Sequence, residues 1–567
     1  MNKNLTDTAP DPPDPQPNVH ETEPGRPMGR RFVGLWIALG FVVLSGVSQL
    51  AGPFSDHQWS NIVSFACTVV AIAFLLVWWV NYFRHRPFVR IAPMILLGLC
   101  IATFLVLFEY DGVSGELEPS FSWRFDTEER ELPTLTTQQR AVEIDAPVTT
   151  KFSGFLGNQR DGTIQRREFA TDWTSDPPVL LFRQPIGAGW SGFAIAGDYG
   201  YTLEQREGEE WTTCYHLDSG ELIWKHVETA RHENALGGVG PRSTPSLVDE
   251  HVVVQGGTGI VLCLRATDGK LIWRQDLLQL SGIDQVVSEE IAPWGRSGSP
   301  LIVDGTVVVP FGGVNPDVSA LAAFDLADGK LRWKTFRPGT AEDASQAAKL
   351  GQSQISYASP IVASIAGRRQ ILSVNESDVS GYDISTGETL WTQDWPGSTN
   401  AGANCSQPVP IDENRILVSK AYGGGGMLFE VVKKDGGFEA KTLWRITNLL
   451  KTKFSNLVVK QGFAYGLSDG ILECVEIETG LRQWRQPRSG RYKHGQLLMV
   501  EDVLLVLAED GRVALVAAQS ESFEELASIE AIVGKTWSNP AVAGRRLVVR
   551  NADQAASFLL PARGENE

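Results

Sequence analysis

The chain has 567 residues, with 67 acidic and 50 basic side chains that give a formal net charge of −17. This acidic balance excludes broad nucleic-acid binding, because such binding needs a basic surface along the phosphate backbone. The 56 glycines, 30 prolines and 17 tryptophans favour an all-β protein with many turns. The six cysteines include no adjacent pair and no CxxCH haem-attachment motif.

The N-terminal segment is rich in proline, aspartate, asparagine and glutamate and contains few apolar side chains. Such a composition cannot bury enough apolar surface to fold, so it predicts a disordered tail over residues 1–31. A secretory signal peptide is not predicted, because no apolar core follows a short basic start.

Three apolar stretches follow, from Phe32 to Gly52, from Ile62 to Val80 and from Ile91 to Phe108, and none contains Asp, Glu, Lys or Arg. Each is long enough, at about 1.5 Å per residue, to cross a hydrocarbon layer of about 30 Å. The alternative, three buried helices of a soluble core, is disfavoured because uncharged runs of this length are hard to bury. The pattern predicts a transmembrane anchor of three helices over residues 32–108. With no charged group inside a span, it favours an anchor over an ion path.

The flanking charges predict an orientation. Arginines precede the first span and separate the second span from the third: Arg26, Arg30, Arg31, Arg84, Arg86 and Arg90. The loop between the first two spans contains no Lys or Arg. By the positive-inside rule, the N-terminus is cytoplasmic and everything after Phe108 lies outside the inner (plasma) membrane, in the periplasm of a bacterium with two membranes. The acidic, poorly patterned residues 109–150 are predicted to be a linker.

A repeated motif dominates the rest of the chain. It occurs as "HLDSGELIW", "RATDGKLIW", "DLADGKLRW", "DISTGETLW" and "EIETGLRQW", with a degenerate copy "KKDGGFEAKTLW". The copies end at Trp224, Trp273, Trp333, Trp391, Trp484 and, for the degenerate copy, Trp444. The spacing is typical of propeller blades. Glycine allows the positive φ of the turn, the next run is an outer strand, and its Trp can dock between neighbouring sheets.

Strand openings indicate the number of blades. They occur near Trp190, Ser243, Ser297, Ala358, Ser406, Ser455, Gly495 and Ser538. We therefore predict an all-β, eight-bladed β-propeller over residues 151–561, followed by a disordered tail over residues 562–567. The last blade has no Trp motif of its own, but "PPVLLFRQPIG", Pro177 to Gly187, resembles the missing outer strand with Phe182 in the Trp position. This N-terminal strand is predicted to complete the last blade and close the ring.

Three cysteines follow the same repeat. Cys214, Cys263 and Cys474 each lie ten residues before a motif Trp. They could form a metal or redox set, but equivalent positions on separate blades favour small, buried core residues.

The motif Asp-x-x-Thr-Gly-x-x-x-Trp resembles the repeat of the pyrroloquinoline-quinone (PQQ) propeller family. This family includes quinoprotein alcohol dehydrogenases and the BamB-like propeller lipoprotein of the bacterial β-barrel assembly machinery. The resemblance covers Lys151 to Pro561, and "FLGNQRDG", Phe155 to Gly162, resembles the lead-in of membrane-anchored bacterial members. It implies the fold but not quinone binding, because the Trp repeat also supports blade packing in members without a cofactor.

Resemblance to the enzyme branch would imply a Ca²⁺ held by Glu, Asn and Asp, a catalytic Asp, and often two adjacent cysteines beside the quinone. This sequence has no adjacent cysteine pair, and we assign no catalytic residue and no metal ligands. The expectation is therefore that no cofactor is bound. PQQ with Ca²⁺ belongs to the enzymatic alternative.

In a propeller, the residues just before each inner strand converge at one mouth of the central channel. At these positions, or just after the first inner strand, the sequence has Trp190, Glu204, Arg242, Trp294, Tyr357, Asn404, Gln407, Lys453, Arg491, His494, Gln496, Lys535 and Trp537. Cations, aromatic rings and amides together could bind a planar or anionic ligand by stacking and charge-assisted hydrogen bonds. The alternative is that they are solvated loop residues and packing contacts. His494 is the only plausible proton-transfer group among them.

The leading hypothesis is a membrane-anchored, non-catalytic propeller that binds a protein, peptide or cell-envelope partner outside the cytoplasm. The alternative is a PQQ-dependent oxidoreductase that passes electrons to the membrane, since a cationic, aromatic mouth would suit a tricarboxylate quinone. A sensory ectodomain is disfavoured because the cytoplasmic part is only a short tail.

Overall fold

The computed structural model describes residues 32–51, 57–125, 150–314, 317–335, 337–338, 353–398 and 402–564. The chain forms two compact units, Met1–Phe108 and Glu109–Glu567. The predicted tail over residues 1–31, and residues 126–149 of the predicted linker, lie outside the described residues.

The first unit contains three helices: α1 (Val33–Ala51), α2 (His57–Tyr82) and α3 (Pro87–Leu107). Each is long and apolar enough to cross a membrane, which confirms the three predicted apolar segments. The second and third helices begin earlier than the predicted spans, because polar residues and a proline suited to the first helical turn precede the apolar runs. Helices α1 and α2 pack together, with the Ser45 and Ser64 hydroxyl oxygens 2.6 Å apart.

The second unit is an all-β, propeller-like structure. Within its described residues, eight sheets have four or five strands, and we number them sheets 1 to 8 along the chain. The strands of sheets 1 to 4 are Thr150–Phe152, Ala194–Ala196, Tyr199–Arg206, Glu209–His216 and Leu222–Glu228 (sheet 1); Ser246–Val248, His251–Gln255, Ile260–Arg265 and Leu271–Asp276 (sheet 2); Leu301–Val303, Thr306–Pro310, Leu321–Asp325 and Leu331–Lys334 (sheet 3); Ile361–Ile365, Arg368–Val374, Asp378–Tyr382 and Thr389–Asp394 (sheet 4).

The strands of sheets 5 to 8 are Val409–Pro410, Arg415–Lys420, Gly425–Lys434 and Gly437–Ile446 (sheet 5); Val458–Lys460, Phe463–Ser468, Ile471–Glu476 and Arg482–Arg485 (sheet 6); Thr163–Ile164, Gln496–Val500, Val503–Leu507, Arg512–Ala517 and Glu525–Glu530 (sheet 7); Val179–Pro185, Ala541–Ala543, Arg546–Arg550 and Gln554–Leu559 (sheet 8). The smaller elements are the strand pairs Phe108–Val113 with Pro119–Trp123, Glu233–Asn234 with Gly238–Val239 and Asp317–Val318 with Arg337–Pro338, and the helices α4 (Leu277–Ser281) and α5 (Gln285–Ile291).

The motif tryptophans connect each sheet to the next. The indole Nε1 of Trp273 donates to the Leu326 carbonyl of sheet 3 at 2.7 Å, and a Cβ on Gly329 would lie 2.6 Å from the same ring. Trp224, Trp333, Trp444 and Trp484 make the equivalent bond to a carbonyl of the following sheet. Glycine is therefore required at this turn for two reasons. The φ angle of Gly329 is 71°, which favours glycine, and only a residue without a side chain leaves room for the indole.

Trp391 is the exception. Its Nε1 donates to the Gln370 side chain of its own sheet at 2.7 Å. The reason lies in sheet 5, where the degenerate copy of the motif forms a long hairpin, Gly425–Lys434 with Gly437–Ile446, in place of the usual turn.

The N-terminal strand pairs as predicted. Val179–Pro185 runs antiparallel to Gln554–Leu559, with Phe182 opposite Ser557. Phe182 also takes the place of the motif Trp, because a Cβ on Gly220 of sheet 1 would lie 3.0 Å from its ring. The side chain of Gln184 donates to the Gly220 carbonyl at 2.7 Å.

The three repeat cysteines are buried and unpaired, opposite the motif tryptophans of their own sheets. This confirms that they are core residues. Burial raises the pKa of the Cys263 thiol to about 12, so the thiol stays protonated and unreactive.

Two segments expected to be unstructured contact the propeller. The predicted linker begins with the hairpin of Phe108–Val113 and Pro119–Trp123. In the predicted C-terminal tail, Ala562 bridges Phe169 and Arg563 pairs with Glu501 at 2.7 Å. Composition indicated neither contact, because both depend on residues distant in the sequence.

Candidate binding site at the propeller mouth

The lead-in segment places one arginine where several sheets converge. The guanidinium of Arg160 donates to the carbonyls of Ser299 at 3.0 Å, Pro300 at 2.8 Å and Pro360 at 3.2 Å. Its own carbonyl accepts from the side chain of Gln407. These partners precede the first strands of sheets 3, 4 and 5, so a single residue can reach all of them only near the axis about which the sheets are arranged. Burial lowers the pKa of Arg160 to about 10.

A second segment covers the mouth residues. We call Gly112–Glu118, the turn of the hairpin in the predicted linker, the cap. Its turn is closed by its own hydrogen bonds: the Ser114 amide donates to the Glu118 carbonyl at 2.8 Å, and the Leu117 amide donates to the Ser114 carbonyl at 2.9 Å. Val113 and Glu116 of the cap are buried.

The main chain of the cap is bound by three mouth residues. The Gly115 amide donates to the carboxylate of Glu509 at 2.6 Å, and its carbonyl accepts from Lys453 Nζ at 3.5 Å. The Val113 carbonyl accepts from Lys535 Nζ at 3.1 Å. Both donor and acceptor groups of the peptide backbone are thus recognised.

The carboxylates of the cap pair with cations of the segment that leads into sheet 7. Glu116, with 1% of its side chain exposed, binds Arg491 through both carboxylate oxygens, one of them 2.8 Å from Nη2. Glu118 lies 3.0 Å from Lys493 Nζ in a more exposed pair. A buried, two-pronged arginine–carboxylate pair is geometrically selective, whereas the exposed pair adds little free energy.

Glycine is required at the centre of the cap. A Cβ on Gly115 would lie 2.3 Å from Cδ2 of His494, which is itself buried. No side chain fits at this distance, so His494 acts here as a packing surface for the peptide.

An aromatic cluster lies beside the cap. The ring of Trp537 is 4.9 Å from that of Trp190 and 5.2 Å from that of Phe454. Lys535 Nζ lies 4.7 Å from the centroid of the Trp537 ring. The Trp537 indole also donates to Glu509 at 2.8 Å, so this one carboxylate connects the aromatic cluster to the cap.

Other predicted mouth residues contact protein groups near sheets 2 to 5. Arg242 donates to the carbonyl of Trp294 at 2.7 Å, and burial lowers its pKa to about 10. The Tyr357 amide donates to the Asn404 carbonyl at 3.0 Å, and burial raises the pKa of the Tyr357 phenol well above its usual value. The Asn404 side chain donates to the carbonyls of Asn375 and Glu376.

Three predicted residues serve to connect sheets or strands. The Glu204 carboxylate lies inside sheet 1, where it accepts from the Tyr215 hydroxyl at 2.7 Å and pairs with Arg206 at 3.1 Å. The side chain of Gln496 donates to the carbonyls of Phe454 and Trp537 and so bridges the approaches to sheets 6 and 8. The side chain of Gln407, which precedes sheet 5, donates to the Arg160 carbonyl and so joins this sheet to the lead-in segment.

Sequence reasoning missed Glu509, Phe454, Lys493 and the cap. Glu509 follows the strand Val503–Leu507 of sheet 7, away from the residues that precede an inner strand, and Phe454 and Lys493 are the immediate neighbours of the predicted Lys453 and His494. A signal for the cap existed: Glu116 and Glu118 are acidic residues in a chain whose predicted mouth is cationic. What the sequence did not show was that they are close to Arg491 and Lys493, some 375 residues away.

Fold and site together define an all-β, Trp-docking propeller with apolar N-terminal helices and a cationic, aromatic mouth that holds a peptide segment. A family profile described as "Outer membrane protein assembly factor BamB" matches residues 208–486 and 375–523, more than half of the chain. The chain belongs to this family.

Individual relatives are more distant. The Yersinia pestis protein named outer membrane protein assembly factor BamB is 23% identical over 329 residues, which are 57% of this chain and 70% of the relative. Quinohemoprotein alcohol dehydrogenase from Comamonas testosteroni has a TM-score of 0.51 at 12% identity, over 74% of this chain and 82% of the enzyme. Quinohemoprotein alcohol dehydrogenase ADHIIG from Pseudomonas putida HK5 has a TM-score of 0.51 at 14% identity, over 77% and 84%. The structural likenesses show the fold alone.

Proposed function

We propose that this protein is a membrane-anchored scaffold whose propeller lies outside the cytoplasm and binds a protein partner. One observation carries the proposal: the mouth already holds a polypeptide segment, through its amide, its carbonyls and its carboxylates. A site that recognises both backbone and side chains of a turn is suited to protein recognition.

The scaffold is proposed to be a closed ring of eight blades. The strand Ala541–Ala543 of sheet 8 contacts Thr150–Phe152 and Ala194–Ala196 of sheet 1, and Arg550 of sheet 8 donates to the Leu203 carbonyl of sheet 1 at 2.8 Å. Phe182 and Gln184 contact Gly220 of sheet 1. Trp273 and Gln275 of sheet 2 contact the turn glycine of sheet 3 in the same way. Closure of this kind leaves only short, protected sheet edges.

The proposed location combines two arguments. Arginines flank the helices on the side assigned to the cytoplasm, which puts residues after Phe108 outside. The relative in Yersinia pestis is named as an outer membrane protein assembly factor, so a partner in the cell envelope is the natural class to propose here.

Photo-cross-linking in host membranes tests the scaffold function. A photoreactive residue at Val533, which is 71% exposed and two residues before Lys535, should give a discrete adduct with another envelope protein. The same residue at Leu331, which is 42% exposed on the last strand of sheet 3, is the matched control. Equal labelling at both positions, or none at Val533, would contradict a partner at the mouth.

The second candidate function is PQQ-dependent oxidation, favoured by Lys535 beside the Trp190 and Trp537 rings. With the cap in place the fit is poor, because Arg491, Lys453 and Lys535 already bind cap carboxylates and carbonyls. A tricarboxylate would have to compete for the same cations. We expect no dye-linked alcohol or sugar oxidation by the full-length protein with added quinone and Ca²⁺. Turnover that is lost in His494→Ala would establish the enzymatic alternative instead.

A further inference from the structure

We propose that the mouth recognises an acidic turn of the partner protein, and that the cap occupies this site until the partner's turn replaces it. The inference rests on the proposed scaffold function and names the feature of the partner that is bound. It also makes the cap an internal competitor for that feature.

The contacts define what the partner's turn must contain. Position 115 must be glycine, since any Cβ there would overlap His494. The next residue must carry a carboxylate that reaches Arg491, because the guanidinium binds both oxygens of Glu116. The backbone must offer an amide to Glu509 and a carbonyl to Lys453. A glycine–glutamate pair in a tight turn meets these requirements.

Charge favours the same class of partner. Lys453, Arg491, Lys493 and Lys535 converge on the cap in a protein whose net charge is −17. A local cationic site on an acidic protein attracts an acidic segment and disfavours a basic one.

The cap can leave without unfolding the propeller. Beyond the turn, the side chains of Tyr110, Phe121 and Trp123 in its hairpin are 49%, 45% and 47% exposed. The buried contacts of the hairpin are concentrated at Val113, Gly115 and Glu116. A partner's turn that makes equivalent contacts would therefore restore most of the interactions that the mouth loses when the cap leaves.

A covalently attached cap competes at high effective concentration. A segment of the same chain acts as if present at a concentration on the order of millimolar, so a partner's turn binds weakly until the cap is loosened. Weakening the cap should therefore strengthen binding of an acidic turn supplied from outside.

The experiment uses the full-length protein in lipid nanodiscs and a fluorescent peptide with the sequence of residues 109–125, EYDGVSGELEPSFSWRF. Fluorescence anisotropy should show the peptide binding the Glu116→Ala protein at least about tenfold more tightly than wild type. Glu109→Ala, which removes an exposed carboxylate outside the cap, is the matched control and should bind as wild type does. A peptide with both cap glutamates changed to glutamine should bind none of the proteins.

A charge exchange gives an independent result if Glu116→Ala fails to fold. Arg491→Glu protein should bind a peptide carrying Glu116→Arg and should reject the unaltered peptide. Equal affinity of wild type and Glu116→Ala, or no rescue by the exchanged charges, overturns the proposal. If the wild-type protein is a dimer and the Glu116→Ala protein is a monomer, the site binds the cap of a second copy of this chain. That result would also overturn the proposal.

Cross-linking at Val533 separates this inference from the function on which it rests. An envelope adduct at Val533 with no peptide binding would leave the scaffold function standing and reject the acidic turn. Failure of both measurements would reject the two proposals together.

Discussion

At the scale of single residues, the repeat works through pairs that are distant in the sequence. Four motif tryptophans, Trp224, Trp273, Trp333 and Trp444, each meet a glycine 36 to 56 positions later, as Trp273 meets Gly329 and Trp333 meets Gly387. The indole covers the turn of the next sheet and donates one hydrogen bond to it. The same residue thus contributes apolar burial and orientation, since its N–H needs a partner once buried.

Trp273→Ala should lower the free energy of unfolding by about 3–5 kcal/mol, because it empties an indole-sized volume between sheets 2 and 3 and leaves the Leu326 carbonyl unpaired. Denaturant unfolding followed by fluorescence measures the change. Leu271→Ala, at a side chain 46% exposed on the same strand, is the control and should cost far less. Similar losses for both would mean that the Trp is not a principal contact between sheets.

At the scale of elements, the strand Val179–Pro185 decides whether the last sheet has a fourth strand. In the sequence this strand comes before four of the five strands of sheet 1. It nevertheless pairs with Gln554–Leu559, the last strand of the chain that the structure describes. Contacts between residues this far apart in the sequence cost more chain entropy than local hairpins do. The strand pair joins Val179–Pro185 to sheet 8, and the Phe182 contact and the Gln184 hydrogen bond join the same strand to sheet 1.

Deleting Pro178–Gln184 should destabilise the whole propeller unit, because Gln554–Leu559 would lose one of its two pairing strands and become an open edge. Thermal unfolding should show a large fall in midpoint. The double substitution Val179→Ala and Leu180→Ala keeps the main-chain pairing and changes only exposed side chains, so it should unfold close to wild type. If the deletion variant had the same unfolding midpoint as wild type, the contact that closes the ring would have to lie elsewhere.

At the scale of the whole molecule, three apolar helices and an all-β unit share one chain. The proposed orientation follows from arginines outside the helices, since charge on flanking loops is what distinguishes the two sides of a bilayer during insertion. It requires the C-terminus and the loop between α2 and α3 to lie on opposite sides.

A reporter enzyme that is active only outside the cytoplasm should be active when fused after Glu567 and inactive when fused after His85, between α2 and α3. A reporter active only in the cytoplasm should show the reverse and serves as the control. Activity of the first reporter at His85 would contradict the proposed orientation.

The sequence alone was sufficient for the apolar helices, the Trp-docking repeat, the buried cysteines and the N-terminal strand that completes the last sheet. Each of these depends on a local pattern, such as an uncharged run or a turn glycine followed by a Trp, whose physical meaning is the same wherever it occurs. The list of mouth residues was informative for the same reason, because a repeat puts equivalent positions in equivalent places. It did not show which of them bind a peptide and which, as Glu204 and Gln496 do, connect strands and sheets.

Only the tertiary structure brought the cap to the mouth. The segment Gly112–Glu118 has no repeat and little apolar pattern, so composition made it a linker. Its position depends on Arg491, Glu509 and His494, which lie more than 370 residues further along the chain. Hydrogen bonds and close contacts act at distances of a few ångströms and are insensitive to sequence separation, so they exist only once the sheets have brought those residues together.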